Sequence, residues 1–407
     1  MNSGETDRAL LRAGGHARVL GRPRAVRVFW GVALVVLLAS IVSGQSWKQA
    51  TAGYRYQFPG DHASHPEFKI EWWYYTGNVQ TTTGRRLGYQ LTFFRVGVDP
   101  SPANPSRWAV RDLYMTHLAV SDPQGQRYRY AERLSRGGPG LAGADVARYR
   151  VWNEDWTASL ADRGRHRLRA MGGDQSRASE RSVLPRAIGP VEVGVDLELE
   201  EGKPPVVNGV DGISQKGSQP GNASHYYSLT RMPTRGTIVV DGERFDVTGL
   251  SWMDHEFGTS FLEPEQRGWD WLSLQLNDGR ELMLYQLRRS DDTKDPRSSG
   301  TLVERDGRSR NLTADDFAME PTASRVQAPS GASYPLGWTI SVPSDGLTLR
   351  VSTPLPNQEL STKAAGISYW EGLVGVKGAR GDSPVEGRGY LEMTGYRGSL
   401  GRVLSGQ

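Results

Sequence analysis

The densest group of residues able to do chemistry lies between Gly249 and Trp271. This segment reads GLSWMDHEFGTSFLEPEQRGWDW, and it places carboxyls and an imidazole among tryptophan and phenylalanine side chains. A carboxylic acid in apolar surroundings has a raised pKa, so it stays protonated near neutral pH and can act as a general acid. Tryptophan faces attract cations and would stabilise a developing carbocation beside such an acid. The alternative is a structural Asp254–His255 pair at a strand end, with the aromatic residues in the core.

A second segment of this kind reads GDHASHPEFKIEWWYYTGN and covers residues 60–78. Alternate residues of a β-strand face the same side, so Glu71, Trp73 and Tyr75 would point together. This arrangement fits the wall of a ligand site, and the alternative for Glu71 is an acid at a pore mouth or sheet edge. We therefore treat these three residues as candidate ligand contacts.

Three histidines are also candidates for a functional role. His62 and His65 lie three positions apart beside carboxyl residues, but neither an HExxH nor an HxH element supports metal binding. We therefore predict no metal site. His117, in the apolar segment LYMTHLAV, fits either a ligand cavity or a hydrogen-bonded position in the core.

Several reaction classes are excluded by what the sequence lacks. It contains no cysteine, which rules out disulfides, zinc–thiolate sites and a cysteine nucleophile. It also lacks the GxSxG nucleophile elbow, the P-loop and a dinucleotide-binding fingerprint ahead of a predicted helix. We therefore expect no cofactor.

The net charge of +4 originates in the first 44 residues. They contain six arginines and two acidic residues, and subtracting these from 49 basic and 45 acidic residues leaves 43 of each. A neutral body without a run of lysine or arginine offers no surface for a phosphate backbone. We therefore expect no nucleic-acid partner.

An apolar run, VFWGVALVVLLASIVS, follows these arginines at residues 28–43. As a helix it would span roughly 24 Å, which is short of the roughly 30 Å hydrocarbon core of a bilayer. We interpret residues 1–44 as a secretory signal, with an uncleaved N-terminal anchor helix as the alternative. In either case we expect the body to be exported, to the periplasm if the source is bacterial, and to meet the membrane only through this segment.

Residue patterns in the body predict β-strands joined by tight turns. From Val191 to Glu200, apolar residues alternate with polar residues or glycine, as in a half-buried strand. Asp241, Asp278 and Asp306 each precede a glycine between strand-like runs, which is typical of hairpin turns. No segment beyond the leader keeps a 3.6-residue apolar period over three turns. We therefore predict an all-β sandwich or barrel.

Short motifs recur in the same order in both halves of the chain. The recurring pairs lie 193, 198 and 196 residues apart: Asp61-His62 with Asp254-His255, Trp73 with Trp271, and Tyr89 with Tyr285. Closing segments match more loosely, YYSLTR from Tyr226 with YLEMTGY from Tyr390. The order predicts two copies of one β-domain, over residues 54–235 and 236–402.

Seven short motifs of the sequence together resemble the AttH-type, carotenoid 1,2-hydratase-like family, which is also called hydroxyneurosporene synthase-like. They are EWWYYTGN (71–78), GYQLTFFR (88–95), YYSLTR (226–231), SWMDHEFG (251–258), GWDW (268–271), YWEG (369–372) and GYLEMTGY (389–396). The resemblance runs from about Tyr54 to Arg397 and is strongest to the exported branch described as secreted hydrolases. It implies two tandem lipocalin-like (calycin) antiparallel β-barrels and a hydrophobic, isoprenoid or lipid-like ligand.

The resemblance also implies a chemistry. Carotenoid hydratases of this family add water across a terminal isoprenoid double bond without a redox cofactor. By resemblance, Asp254 and His255 take the acid and base roles, with Asp270 as an alternate acid. The implied aromatic lining consists of Trp252, Trp269, Trp271 and Tyr285. We therefore expect an exported enzyme that acts on a hydrophobic substrate by cofactor-free acid catalysis, as a hydratase or hydrolase. The competing hypothesis is a non-catalytic periplasmic carrier of a lipid or pigment, or an accessory protein that works beside an ABC exporter.

Overall fold

The computed structural model describes residues 46–106, 108–176, 191–260, 262–363 and 366–399, and in these ranges the chain is almost entirely β-structure. The helical segments there are three single 3-10 turns, at Gly60–His62, Asp162–Gly164 and Pro343–Asp345. None of the described helices is long and apolar enough to cross a bilayer. The prediction of an all-β fold is confirmed. The predicted signal or anchor helix lies outside the described residues.

The first sheet contains thirteen strands. They are β1 (Ile70–Gln80), β2 (Arg86–Gly97), β3 (Asp112–Asp122), β4 (Arg127–Arg136), β5 (Ala142–Ala144), β6 (Arg150–Asn153), β7 (Trp156–Ala161), β8 (Arg165–Gly172), β9 (Val193–Glu200), β10 (Val206–Val207), β11 (Ser214–Gln215), β12 (Ala223–Val240) and β13 (Glu243–Ser260). Their order is β4-β3-β2-β1-β13-β12-β9-β8-β7-β6-β5, with β10 and β11 paired to β12. All neighbouring strands are antiparallel.

The two ends of this sheet approach each other, so that it forms a nearly closed barrel. The Asn153 side chain in β6 donates to the Tyr114 carbonyl in β3 at 3.2 Å, and Arg133 in β4 donates to the Asn153 carbonyl at 3.0 Å. The predicted strand near Val191 is β9, and its alternating residues from Val193 to Leu199 are buried in the barrel core. Side chains at alternate positions of the other strands fill the rest of the interior.

The second sheet contains ten strands and forms a second β-layer with its own core. Its strands, with those of a separate two-stranded ribbon, are β14 (Gln266–Leu276), β15 (Glu281–Arg289), β16 (Ser299–Val303), β17 (Ser309–Leu312), β18 (Ala318–Pro321), β19 (Arg325–Gln327), β20 (Ser333–Pro335), β21 (Gly337–Val342), β22 (Leu347–Ser352), β23 (Glu359–Ser361), β24 (Ser368–Arg380) and β25 (Ser383–Met393). The order is β17-β16-β15-β14-β25-β24-β22-β21-β18, β23 pairs with β24, and β19 with β20 forms the ribbon. We call the two sheets the first and second barrel.

The first barrel extends further along the chain than the sequence suggests. A division between residues 235 and 236 falls inside β12, which continues to Val240. The predicted hairpin turn at Asp241 and Gly242 has positive φ angles of 52° and 79°, and it returns the chain as β13. Because β13 pairs with both β12 and β1, the first sheet ends only at Ser260.

The internal duplication is present in the strand order but differs in part from the predicted motif pairs. The segment β2-β1-β13-β12 of the first barrel matches β15-β14-β25-β24 of the second. Two of the predicted pairs lie on matching strands, β1 with β14 and β2 with β15, but not at matching positions, since Trp73 and Tyr89 face the interior of the first barrel whereas Trp271 and Tyr285 belong to a separate apolar cluster. The third pair is wrong, since Asp61 lies in a 3-10 turn and Asp254 in β13. The closing segments are offset by one strand, since Tyr226 lies in β12 whereas Tyr390 lies in β25, the counterpart of β13.

A buried carboxylate links the two barrels. Glu281, at the start of β15, accepts hydrogen bonds from Lys203 Nζ at 2.8 Å and from Arg231 Nε at 2.5 Å, both in the first barrel. Thr230 adds a third bond at 3.2 Å. The Glu281 side chain is fully buried, so its charge depends on these partners for compensation.

We expect Glu281→Gln to lower the free energy of unfolding by about 3 kcal/mol, because it leaves a buried cationic pair without its counter-charge. Chemical denaturation checks this. The matched control is Glu386→Gln, which removes a surface ion pair with Lys377 and should leave the midpoint almost unchanged. Equal effects of the two variants would contradict a linking role for Glu281.

Candidate active site between the barrels

A cluster of carboxyl groups lies where the two barrels pack. Side chains alternate along β13, so Asp254 and Glu256 lie on its outer face while His255 points into the first barrel. Strands β24 and β25 bring Glu371 and Glu392 to the same space. We call these four carboxyl residues the acidic cluster. Aromatic and apolar side chains from both barrels surround it: Tyr74, Tyr226, Trp252, Trp271, Tyr285, Leu373 and Tyr390.

Asp254 accepts hydrogen bonds from three neighbours in the first barrel. Ser228 Oγ and Trp252 Nε1 donate to Oδ1, and the Tyr226 hydroxyl donates to Oδ2, all at 2.6 Å. Trp271 Nε1 of the second barrel donates to the same Tyr226 hydroxyl at 3.2 Å. Burial raises the pKa of Asp254 to about 7, although the three donors oppose the rise. Asp254 therefore changes its protonation near neutral pH, with its charged form held by hydrogen bonds.

Glu371 has different surroundings. The Tyr74 hydroxyl of the first barrel donates to Oε1, while Oε2 is buried without a hydrogen-bond partner among the described residues. Burial, and then the nearby Glu392 carboxyl, raise the pKa of Glu371 well above its ordinary value. Glu371 is therefore a protonated acid with one buried oxygen that has no hydrogen-bond partner in the described part of the structure. Tyr74 places Glu371 near Asp254, because it contacts Glu371 and lies opposite Asp254 in the sheet.

The other two carboxyls complete the cluster. Trp269 Nε1 donates to Glu392 at 3.0 Å, and burial raises the pKa of Glu392 to about 7. Glu256 lies 3.4 Å from Lys216 Nζ and accepts a hydrogen bond from Ser224. Burial raises the pKa of Glu256, and the Lys216 charge opposes this. Lys216 thus supplies a positive charge beside Glu256.

The cluster has an approximate two-fold relation that follows the duplication. In the first barrel Asp254 lies opposite Tyr74 on one side and Ser228 on the other. In the second barrel Glu392 lies opposite Trp271 and Glu371 in the same way. Glu371 therefore occupies the position that a serine holds in the first barrel, and this difference makes the two halves of the site chemically unequal.

The structure brings together four aromatic residues that the resemblance implied as a lining. Trp252, Trp269, Trp271 and Tyr285 all belong to the aromatic surroundings of the acidic cluster. The Tyr285 hydroxyl contacts Ser214 at 2.9 Å, and Lys216 Nζ lies 4.1 Å from the centre of its ring. Trp269 and Trp72 are only partly buried, so this side of the cluster meets solvent.

His255 and Glu71 form a separate site inside the first barrel. His255 Nε2 lies 3.0 Å from Glu71 Oε1, and the His255 ring stacks on Trp73 at 4.9 Å between centroids. Glu71 also pairs with Arg95 at 3.0 Å and with His65 at 3.0 Å. Burial lowers the pKa of His255 to about 4 in spite of Glu71, so its imidazole is neutral. Asp254 and His255 face opposite sides of β13 and cannot form one acid–base pair on a substrate.

Three remaining candidates lie outside the acidic cluster. Asp270 points into the second barrel, where it pairs with Arg288 at 2.9 Å and accepts a hydrogen bond from Tyr396 at 3.0 Å. Tyr75 lies inside the first barrel, with its hydroxyl 2.9 Å from His166 Nδ1. His117 lies between the barrels at another point, 2.7 Å from the Tyr369 hydroxyl.

Sequence reasoning did not assign roles to Glu371, Glu392, Tyr74 and Tyr226. All four lie within motifs already noted, YWEG, GYLEMTGY, EWWYYTGN and YYSLTR. An acid directly after two aromatic residues was the available signal in YWEG. It was missed because nothing in the order of the chain shows that β24 packs against β1.

The motif content and the two-barrel fold agree with one family. The sequence model of the AttH-like family matches residues 49–396. The chain belongs to the AttH-like family. This confirms the family resemblance seen in the sequence.

Two solved structures share the fold of this AttH-like protein. The AttH protein of Nitrosomonas europaea is 32% identical with a TM-score of 0.73, and the match covers 86% of this chain and 99% of that one. Kievitone hydratase from Nectria haematococca is 15% identical with a TM-score of 0.62, over 86% and 95% of the two chains. At that identity the likeness to the hydratase is one of fold.

One curated relative is named as an enzyme. Dehydratase asqC from Emericella nidulans is 26% identical over 213 residues, which are 49% of this AttH-like chain and 58% of the dehydratase. This chain therefore spans little more than half the length of that relative. A match over this part alone does not assign the dehydratase's activity to the present chain.

The ion pairs of His65 predict a pH-dependent stability. Burial lowers its pKa, but hydrogen bonds with Asp61 and Glu71 outweigh this and raise the pKa to about 9. Because the folded pKa exceeds the unfolded value, the stabilisation is present below about pH 6.5 and is lost as the pH rises through about 9. We expect the unfolding free energy to fall by up to about 3 kcal/mol over that window. Denaturant titrations of His65→Gln should show no such decline, and an unchanged decline would refute this assignment.

Proposed function

We propose that this protein is a cofactor-free hydratase or dehydratase that acts on a lipophilic small molecule at the acidic cluster. The observation that carries the proposal is Glu371, a buried and protonated carboxyl whose Oε2 has no hydrogen-bond partner among the residues that the structure describes. A proton donor of this kind, surrounded by aromatic faces, suits reactions that pass through a carbocation.

Glu371 supplies the general acid. Its Oε1 is fixed by the Tyr74 hydroxyl, so the proton on Oε2 has a defined direction. The hydrophobic surroundings that raise its pKa also exclude water that would otherwise accept the proton. In an isoprenoid substrate Glu371 would protonate one carbon of a double bond, and the neighbouring carbon would become the cation.

Asp254 supplies the base. In its charged form it is held by Ser228, Trp252 and Tyr226, and Oδ2 accepts only one of these three hydrogen bonds. Water that attacks the cation would give one proton to Asp254 and leave a hydroxyl on the substrate. Return of that proton to Glu371 closes the cycle, so the net change is the addition of one water. Dehydration runs through the same steps in reverse.

The aromatic side chains define the substrate class. Trp271 and Tyr74 pack edge to face at 5.2 Å beside the carboxyls, so the electron-rich faces of the cluster can lie along a cationic intermediate. The many apolar contacts favour an isoprenoid or lipid-like skeleton over a polar substrate. The names of a curated dehydratase and of a hydratase with the same fold support this reaction type. Export through the N-terminal segment is part of the same proposal.

We expect Glu371→Gln to lower the rate of hydration or dehydration by at least about 100-fold, because the amide cannot donate a carboxyl proton. The assay incubates the purified chain with terminal-alkene isoprenoids and with their tertiary alcohols in heavy-oxygen water, and mass spectrometry follows the gain or loss of one water. Glu359→Gln is the matched control, because Glu359 bonds Ser330 and Tyr334 in the second barrel away from the cluster. It should retain activity.

The result also separates an enzyme from a carrier. A carrier would bind the isoprenoid, convert none of it, and bind it equally well after Glu371→Gln. Conversion that survives in Glu371→Gln at the wild-type rate would exclude Glu371 as the acid and with it this mechanism.

The rate should also depend on pH. Since Asp254 must be ionised to accept a proton and its pKa is raised to about 7, we expect the rate to fall as the pH drops below about 7. Burial and the neighbouring Glu392 raise the pKa of Glu371 well above its ordinary value, which favours its protonated form. A pH–rate profile of wild type against Asp254→Asn checks this. A profile that rises toward acid pH would assign the acid role to Asp254 instead.

A further inference from the structure

A group of two histidines and one glutamate lies at the rim of the first barrel, away from the acidic cluster. Glu201 follows the end of β9, His166 lies in β8, and His62 ends the first 3-10 turn. Their potential ligand atoms all lie within 4.8 Å of one another. No step of the proposed hydration uses these residues.

We propose that His62, His166 and Glu201 bind one divalent transition-metal ion of the zinc class. The two imidazole nitrogens converge on a single carboxylate oxygen, Oε1 of Glu201. His62 Nε2 lies 3.4 Å and His166 Nε2 lies 3.2 Å from this oxygen. Ligands about 2.0 Å from a tetrahedral zinc ion are about 3.3 Å apart, so both separations already match the edges of such a site.

The ring nitrogen of each histidine that faces away from Glu201 contacts a tyrosine hydroxyl, as is common for metal-binding histidines. His62 Nδ1 lies 2.7 Å from the Tyr227 hydroxyl, and His166 Nδ1 lies 2.9 Å from the Tyr75 hydroxyl. The Tyr227 hydroxyl donates to the Asp61 carbonyl at 3.3 Å, so its oxygen can accept a hydrogen bond from the Nδ1–H group of His62. That tautomer leaves the Nε2 lone pair directed at the shared centre. Such outer hydrogen bonds fix the ring and strengthen metal binding.

Burial and access also fit an ion. Both histidine side chains are almost fully buried, whereas Glu201 is 28% exposed. Glu201 lines a surface pocket of about 460 Å³ together with Gly164, Arg165 and Glu200. An ion can therefore enter from the pocket, and water can fill a fourth position on that side, as in zinc sites with three protein ligands. Arg165, the cation in this pocket, lies 3.5 Å from Glu198.

The second histidine–carboxylate group of the barrel lacks these properties. His65, Glu71 and His255 also have ligand atoms within 4.8 Å of one another. Arg95 Nε already lies 3.0 Å from Glu71, and Ser64 and the His65 amide donate to the same carboxylate. A guanidinium this close supplies the compensating charge and would repel a metal cation. The geometry therefore favours the His62 group alone.

His62 was a candidate ligand in the sequence, but the prediction there was that no metal site exists, because the three ligands come from separate elements. Motifs such as HExxH place two ligands on one helix, whereas here the chain contributes one ligand at a time. An ion at this position would tie the first 3-10 turn to the rim formed by β8 and the end of β9.

The test is zinc binding by the whole purified chain after removal of metals with a chelator. Calorimetry with zinc chloride should give one site per chain, and added zinc should raise the melting temperature. Glu201→Gln keeps the size of the partly exposed ligand, and we expect it to weaken zinc binding at least about 100-fold and to abolish the shift in melting temperature. His62→Gln should behave in the same way.

Two controls separate this site from adventitious binding. His225→Gln changes another buried histidine of the first barrel, which contacts the Gly212 carbonyl at 3.4 Å, and it should bind zinc as the wild type does. His65→Gln tests the neighbouring group and should also retain zinc. Absence of a stoichiometric site in the wild type, or zinc binding that survives Glu201→Gln and is lost in His65→Gln, would overturn the proposal.

Discussion

From Ser251 to Gly258 neither face of strand β13 meets water, and the rest of the molecule depends on this constraint. The inner face of this segment lines the core of the first barrel, and its outer face packs against the second barrel. Two consecutive residues, Asp254 and His255, therefore enter two different environments. The outer carboxyl becomes part of a site shared by both barrels, while the imidazole joins the ion-pair group with Glu71 inside the first. Strand alternation thus separates residues that look like a catalytic pair in the sequence.

The second constraint is the cost of burying carboxyl groups together. Unpaired carboxylates in an apolar interface are unfavourable, so such groups either gain donors or keep their protons. Asp254 gains three donors, whereas Glu371 has one donor among the described residues, the Tyr74 hydroxyl, and keeps its proton. In the duplicated fold Asp254 corresponds to Glu392, and Glu371 takes the position of the serine beside Asp254. An acid and a base therefore follow from one architecture with unequal side chains.

Two carboxylates of the first barrel, Glu71 and Glu201, differ in how their charge is compensated. Glu71 is compensated by Arg95 and His65, so its group is complete without a ligand. Glu201 has histidines but no arginine or lysine within ion-pair distance among the described residues, and it faces a pocket. The contrast between the two groups separates a structural ion-pair network from a candidate metal site.

The sequence by itself determined the all-β class, the hairpin turns, the family and the group of acids among aromatic residues near Asp254. These depend on short-range patterns: period-two alternation, Asp-Gly pairs and motifs within single strands. Only the tertiary structure decided the end of the first barrel, the surroundings that Asp254 and His255 meet on the two faces of β13, and the entry of Glu371 from β24. Each depends on long-range strand pairing and on which outer faces pack together. Those contacts join residues more than a hundred positions apart, and local order in the chain does not encode them.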